Sequence, residues 1–508
     1  MGEFFNPADF RLILPPVILC IFGLGILLTD AWLERSQKWF SGVMALTGVG
    51  FSGWCLWLLH GDIRKQVDSM NKEFPGVAFT PELVGLRGAV VVDPFFIFFS
   101  ALFLAATALV VLLSLRYLEI EHEHHGEYYA LMLFAVVGMM FMACGMDLIV
   151  LFIALETMAL SFYVLAGFLR SDRRSNEGAL KYLLLGAFSS GVLAYGFSIL
   201  YGLSGSTNLN VIARALAARV AEPAAQADLL LLAALATVSV GLFFKVAAVP
   251  FHQWAPDVYE GAPTSVTAYL SVASTAASFA MLLRIFLTAF APIRADWELL
   301  LIVVSLASMT VGNLAAITQT NVKRMLAYSS IGHAGYILLG LIAGNATGLQ
   351  GIAFYLLAYA FMNIGAFAVI IVLRRQGVVG DELEDFNGLS QRNPAAAWLM
   401  LLFLLSLAGI PPTAGFVGKY FIFLALIEAR QYVLAVIGVL YIIPAVYYYL
   451  RIVQHMFLRD VTDPVEPRMS PAQAVAITAC AVVTLAACLF AEPYIRFAAS
   501  SVLVPFGR

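Results

Sequence analysis

The sequence predicts an all-α polytopic membrane protein, with about fourteen transmembrane helices, two inverted five-helix repeats and two broken helices. Three observations carry that prediction. Of 508 residues, 61% are hydrophobic and only 12% are Asp, Glu, Lys or Arg, about half the charged share of a soluble domain. Mean hydropathy is +0.89. The apolar runs reach ~20 residues without the alternation of a membrane strand, which excludes a β-barrel.

In chain order, the runs place helices at 12–29, 39–59, 94–117, 129–146, 148–169, 178–203, 228–261, 264–289, 299–319, 326–344, 349–373, 396–427, 432–457 and 473–491. The first follows acidic Glu3 and Asp9 and has no small-residue cleavage site after it, so it reads as a retained helix and not a signal peptide. An even number of spans leaves both termini on one side. Loops after odd-numbered spans hold Arg35/Lys38, Arg170/Arg173/Arg174, Lys323/Arg324, Arg374/Arg375/Arg392 and Arg459/Arg468. With the longer segment 60–93 set aside, that bias puts both termini outside.

Two segments are too long and too interrupted to be simple spans. They are 228–261, around "GLFFKVAAVPFHQWAPDVYEGAP", and 396–427, around "LAGIPPTAGFVGKY". A mid-helix proline removes a backbone donor and clashes with the preceding turn. Lipid cannot satisfy the freed groups, so such breaks point to a transport site. The broken segments are the seventh and twelfth spans. An odd offset of five makes two such repeats inverted. The expected organisation is 1–125 as an N-terminal three-helix segment, 126–290 as the first repeat (helices 4–8), 291–460 as the second (helices 9–13) and 461–508 as a C-terminal helix. The halves show no residue-by-residue match, so the break pattern carries this reading.

Several function classes are excluded. A formal net charge of −3 offers no basic face for nucleic acid. Cys20, Cys55, Cys144, Cys480 and Cys488 lie in apolar runs without C-x-x-C spacing, against zinc, iron–sulfur clusters and disulfides. His122, His124 and His125 stand among glutamates in "EHEHHGE" and resemble a metal site. No i, i+4 pair points them into the membrane, so a solvated loop is the better reading. No nucleotide-binding glycine motif stands at a strand–helix junction.

In so apolar a chain, each intramembrane ionisable residue is informative, since one at mid-bilayer costs ~2.5–3.5 kcal/mol on insertion scales. Glu156 lies about eight residues, or ~12 Å, inside its helix. Lys245 precedes the Pro250 break, and Lys419 stands seven residues after Pro412. Lys181 lies nearer a helix end, and His333 lies in "LAYSSIGHAGY". Plainer readings stand beside these: a static Glu156–Lys245 ion pair, a snorkelling Lys181, a packing His333, and a His252 that satisfies the backbone freed at Pro250. Burial disfavours the charged form of lysine and a nearby carboxylate restores it, so moving the carboxylate loads or unloads a proton. A row of such groups joined by water is a proton path.

"KVAAVPFHQWAPDVYEGAPTSVTAYLSVAS" (245–274), "SDRRSNEGALKYLLLGAFSSG" (171–191), "NVKRMLAYSSIGHAGYILLG" (321–340) and "GIPPTAGFVGKY" (409–420) resemble subunit N of NADH–quinone oxidoreductase, respiratory complex I. The first motif is shared with all antiporter-like subunits and with multi-subunit cation/proton antiporters. Lysine in "GFVGKY" separates the chain from subunit M, and the short stretch after the last span separates it from subunit L. The resemblance implies a proton-translocating membrane subunit driven by electron transfer from NADH to quinone in other subunits. It implies Glu156, Lys181, Lys245 and Lys419 as family positions. It also implies no cofactor in this chain, FMN, iron–sulfur clusters and quinone in partner subunits, antiporter-like neighbours and small core membrane subunits as partners, and a bacterial inner membrane. The alternative is a cation/proton antiporter subunit without redox coupling. One departure stands out: many relatives read "SVxSK" in helix 8, where this chain has "SVAST" and Thr275.

Overall fold

The computed structural model describes residues 7–34, 37–73, 81–123, 125–221, 228–374, 380–462 and 467–500. Its apolar helices are numbered here α1 (Leu14–Asp30), α2 (Trp39–Glu73), α3 (Pro94–Glu121), α4 (Gly126–Cys144), α5 (Leu148–Ala166), α6 (Arg173–Ser204), α7 (Leu229–Lys245), α8 (Thr264–Ala289), α9 (Ala291–Ile317), α10 (Val322–Ala343), α11 (Ala346–Leu373), α12 (Pro394–Ala408), α13 (Tyr432–Leu458) and α14 (Pro471–Leu489). Among the described residues, 11 of these are long and apolar enough to cross a membrane, and α1, α7 and α12 are shorter. Both expected breaks are present. After its break, α7 resumes as Trp254–Gly261, and α12 resumes as Ala414–Glu428.

Short polar residues start the spans by capping otherwise orphaned N–H groups. Asp93, Asp147, Asp172, Asp228, Asn321, Asn345 and Asn393 each accept a backbone N–H of the following turn. Two local features differ from the hydropathy reading. α2 does not end near residue 59 but runs to Glu73. Hydropathy marks where lipid ends, whereas a helix ends at a breaker, and beyond Gly61 none comes before Pro75. Asp62 in this extension pairs with Arg11 at 2.7 Å. An antiparallel strand pair, Leu83–Gly85 with Val90–Val92, and an amphipathic helix, Leu209–Val220, fill stretches expected to be loop.

The backbone carries a repeat that the sequence alignment of the halves did not. Before α5, Leu148 N–H bonds Thr207 O and Leu209 N–H bonds Met146 O, both at 2.9 Å. Before α10, five spans later, Val322 N–H bonds Asp381 O at 2.7 Å and Leu383 N–H bonds Thr320 O at 2.9 Å. The same two-bond clasp therefore joins the loop before α5 to the loop after α6, and the loop before α10 to the loop after α11.

Burial grades across the molecule. α8 is wholly buried and α10 and α11 nearly so, while α6, α13 and α14 present most of their surface outward. A bidentate ion pair pins α8 to the start of α3: the Arg284 guanidinium donates to both Asp93 oxygens at 2.8 Å and to Ala143 O at 2.7 Å.

Candidate functional site

The sequence-predicted charges fall into two buried groups and one surface group. In the first group, Glu156 of α5 is half-buried and accepts the Ser190 hydroxyl of α6 at 2.5 Å. Lys245, the last residue of α7, is only 3% exposed and donates to the Tyr163 hydroxyl of α5 at 3.2 Å. That hydroxyl lies beside Ser190. Glu156 and Lys245 are thus not a direct ion pair; Ser190 and Tyr163 stand between them. Gly186 makes the room, because a Cβ there would fall 2.1 Å from the Tyr163 hydroxyl.

The break after Lys245 is satisfied by neighbours. Val249 N–H donates to Ser308 Oγ and the Trp254 indole to Phe244 O, each at 2.9 Å. His252 lies against the Pro250 backbone, as a role in satisfying the break requires, while its buried Nδ1 has no hydrogen-bond partner among the described residues.

The second group surrounds Lys419, also 3% exposed. Its ammonium donates to Ala408 O at 2.9 Å and Leu407 O at 3.2 Å, the last carbonyls of α12, and lies 4.9 Å from the centre of the Tyr336 ring. Gly409, at φ +83°, turns the chain out of α12 and lies against the lysine stem. Near it, His333 is held from both sides: Nδ1 to the Tyr355 hydroxyl at 2.6 Å and Nε2 to that of Tyr449 at 3.2 Å.

Between the groups runs a row of hydroxyls. The Tyr182 ring meets Tyr163 edge-on at 4.7 Å, and its hydroxyl lies beside Ser274. Tyr259 lies beside Thr275 and 3.5 Å from Ser330 Oγ. Tyr359 donates to Ser330 at 2.8 Å, and its ring is 5.1 Å from that of His333. Ser274 ends a π-turn, Leu270–Ser274, in wholly buried α8, a feature concentrated at functional sites.

Lys181 stands apart from both groups. It is bound by Asp257 at 2.7 Å and Glu177 at 2.8 Å. Asp257 also holds Arg324 at 2.7 Å, and Arg324 reaches Glu260 at 3.0 Å. Lys323 donates to Glu260 O and Ala262 O at 2.7 and 2.8 Å, closing the end of the Trp254–Gly261 helix. This clasp ties the resumed half of α7 to α6 and α10. Chemically, the two buried groups and the hydroxyl row can hold and pass protons; among the described residues no group of three or more His, Cys, Asp or Glu is placed to hold a metal.

With that geometry in place, the comparisons decide the family. The sequence profile described as NADH:quinone oxidoreductase/Mrp antiporter, TM matches residues 145–443. The chain is 52% identical over 502 residues to NADH-quinone oxidoreductase subunit N 2 of Solibacter usitatus, covering 98% of both. The chain belongs to the subunit N family of NADH-quinone oxidoreductase. Its fold matches respiratory complex I from Thermus thermophilus with bound Aureothin at a TM-score of 0.76 and 32% identity, covering 96% of this chain and 99% of that one. The Mrp complex from Dietzia sp. DQ12-45-1b matches at a TM-score of 0.77 but 23% identity, covering 96% and 97%, a likeness of fold alone. As a subunit N family member, the chain is a multi-pass membrane subunit that works with other membrane subunits.

Sequence reasoning missed Tyr163, Ser190, Tyr259, Ser330 and Tyr359. The one signal available was hydroxyls inside apolar runs, as in "FSSG" and "AYSS".

Proposed function

We propose that this subunit N family member moves protons through Glu156, Lys245, His333 and Lys419 as part of a NADH:quinone oxidoreductase. It contributes to the translocase without a redox centre of its own. Electron transfer, with FMN, iron–sulfur clusters and quinone, belongs to partner subunits. The observation that carries this reading is the set of polar groups inside an apolar bundle: half-buried Glu156 with Ser190, buried Lys245 with Tyr163, His333 between Tyr355 and Tyr449, and buried Lys419. Buried polar groups are costly without a purpose or a partner, and here they line up across two repeats. We take those repeats as 126–290 and 291–460, flanked by an N-terminal segment, 1–125, and a C-terminal helix, 461–508. The membrane is the bacterial inner membrane, and the Lys/Arg bias places both termini outside.

A cation/proton antiporter subunit without redox coupling fits less well, because relatives of that kind match at lower identity than those named for NADH-quinone oxidoreductase. The test is quinone-coupled proton pumping by the assembled complex carrying Lys245→Ala. Pumping falls while the complex still assembles; native pumping with this substitution refutes the reading.

A further inference from the structure

Between the end of α1, the start of α4 and the end of α5 lies a cavity of about 530 Å3 that proton movement leaves unused. Its polar end holds Glu123 and His125 of the α3–α4 turn, Glu127 of α4 and Arg170 of the α5–α6 turn. We infer that this cavity binds one phospholipid with a primary-amine headgroup. Arg170 and His125 take the phosphate, and Glu127 and Glu123 take the ammonium.

Three features support it. First, charge is confined to one end. α4 turns Glu127, Ala130, Leu131 and Phe134 to the cavity, a single helical stripe at i, i+3, i+4 and i+7. Below Glu127 that stripe is apolar for about 10 Å, roughly two thirds of the hydrocarbon depth of one leaflet. α5 faces it with Val164 and Phe168 below Arg170, and α1 with Leu27. Leu27 and Val164 are 38% and 56% exposed, so the apolar end is open to acyl chains. A polar head above an apolar trough is the division of a phospholipid itself.

Second, the trough is already formed. Asp30, at the end of α1, lies so close to Gly126 that a Cβ there would fall 2.6 Å from it. Lys38 and Ser41 hold the Asp30 carboxylate at 2.8 and 3.3 Å. Deeper down, the Phe134 ring packs on Gly23, where a Cβ would fall 2.8 Å from it. α1 and α4 therefore meet at both levels, and a ligand finds its walls in place.

Third, the charges select the headgroup. Glu123 lies 3.3 Å from His125 Nε2, whereas the Glu127 carboxylate and the Arg170 guanidinium have no partner among the described residues. Leaving the histidine aside, two carboxylates face one guanidinium, an excess that repels an anionic headgroup. A quaternary amine brings a positive charge but no N–H. A primary ammonium brings three donors, and hydrogen bonds between charged partners are the strong ones.

The plainer accounts are bulk lipid in a surface hollow, or a neighbouring subunit lying over it. The experiment separates them. The assembled complex is placed in phosphatidylcholine vesicles doped with a small, equal amount of photoreactive phosphatidylethanolamine, phosphatidylcholine or phosphatidylglycerol, each with a diazirine near the top of one acyl chain. Labelling of residues 127–134 and 164–170 is read by mass spectrometry, with the amount of assembled complex measured in parallel. The ethanolamine probe labels the site at least about fivefold more than either other probe, the effect of about one net hydrogen bond. Glu123→Gln with Glu127→Gln brings the three probes within about twofold of one another. Val164→Trp fills the trough and lowers labelling by all three. Equal labelling of the native complex by the three probes leaves only bulk lipid and overturns the inference. So does a preference for the glycerol probe, or a preference for the ethanolamine probe that survives both glutamine substitutions. No labelling by any probe shows the cavity covered by a neighbouring subunit, and the inference falls on that result too.

Discussion

Replacing Glu156 by glutamine keeps the shape and the acceptor for Ser190 but removes the charge that faces Lys245. The two charges are separated by the Ser190 and Tyr163 hydroxyls, with end contacts of 2.5 and 3.2 Å. That spacing puts them roughly 8 Å apart, where Coulomb's law at an effective dielectric of about 20 gives about 2 kcal/mol. The Lys245 ammonium loses that stabilisation in Glu156→Gln, equivalent to about thirtyfold in any rate that depends on its charge. A direct ion pair would be worth more than twice as much by the same relation. Ser190→Ala leaves both charges and removes one hydrogen bond, about 1 kcal/mol or roughly fivefold. The assay is quinone-coupled turnover per assembled complex for both variants, Lys245→Ala, and Glu156→Gln with Lys245→Ala. Groups acting in one series are not additive, so the double variant is no worse than Lys245→Ala alone. Glu156→Gln turning over at more than half the native rate refutes the reasoning, and so does a Ser190→Ala defect as deep as that of Glu156→Gln.

Lys419→Arg keeps the charge at the end of α12 but holds its proton at any physiological pH; pumping falls at least about tenfold, and native pumping in vesicles would remove lysine deprotonation from the cycle. Lys181 behaves differently, because Asp257 and Glu177 hold it as a clasp. Lys181→Arg preserves pumping within about twofold, and Lys181→Ala destabilises by about 1 kcal/mol or less at this part-exposed site, read as a small fall in the thermal midpoint of the complex. Arg284→Met leaves Asp93 buried without its partner at about 3–5 kcal/mol; assembled complex falls, and adding Asp93→Asn recovers part of it, as blue native gels measure.

The spans and their breaks were legible because lipid leaves little choice: ~20 apolar residues make a span, and proline inside one makes a break. The ionisable residues were legible because they are rare in such surroundings. What joins them was not. Glu156 and Lys245 looked like partners by elimination, yet Tyr163 and Ser190 separate them, and tyrosine and serine in apolar helices are too common to single out. The 60–73 stretch was misread because polarity ends a membrane crossing without ending a helix. The clasp around Asp257 was missed because its charges come from three helices far apart in sequence.

The two repeats fail to align residue by residue for a physical reason that the broken helices reveal. Lys245 is the final residue of α7, and its ammonium donates sideways to the Tyr163 hydroxyl of α5. Lys419 lies beyond the break, in the Ala414–Glu428 helix, yet its ammonium reaches back to the carbonyls of Leu407 and Ala408, the C-terminal end of α12. Aligned peptide dipoles leave partial negative charge at such an end, and a cation there gains up to ~2 kcal/mol when partly buried. Both halves therefore bring a buried lysine to the interrupted end of the first half-helix, one as its last residue and one from beyond the break. What the two halves share is a lysine at that end, not the sequence position that supplies it. Because α7 and α12 are five spans apart they run in opposite directions, so the two interrupted ends face opposite sides of the membrane. Under the proton-moving reading proposed above, one lysine would then exchange protons with each side.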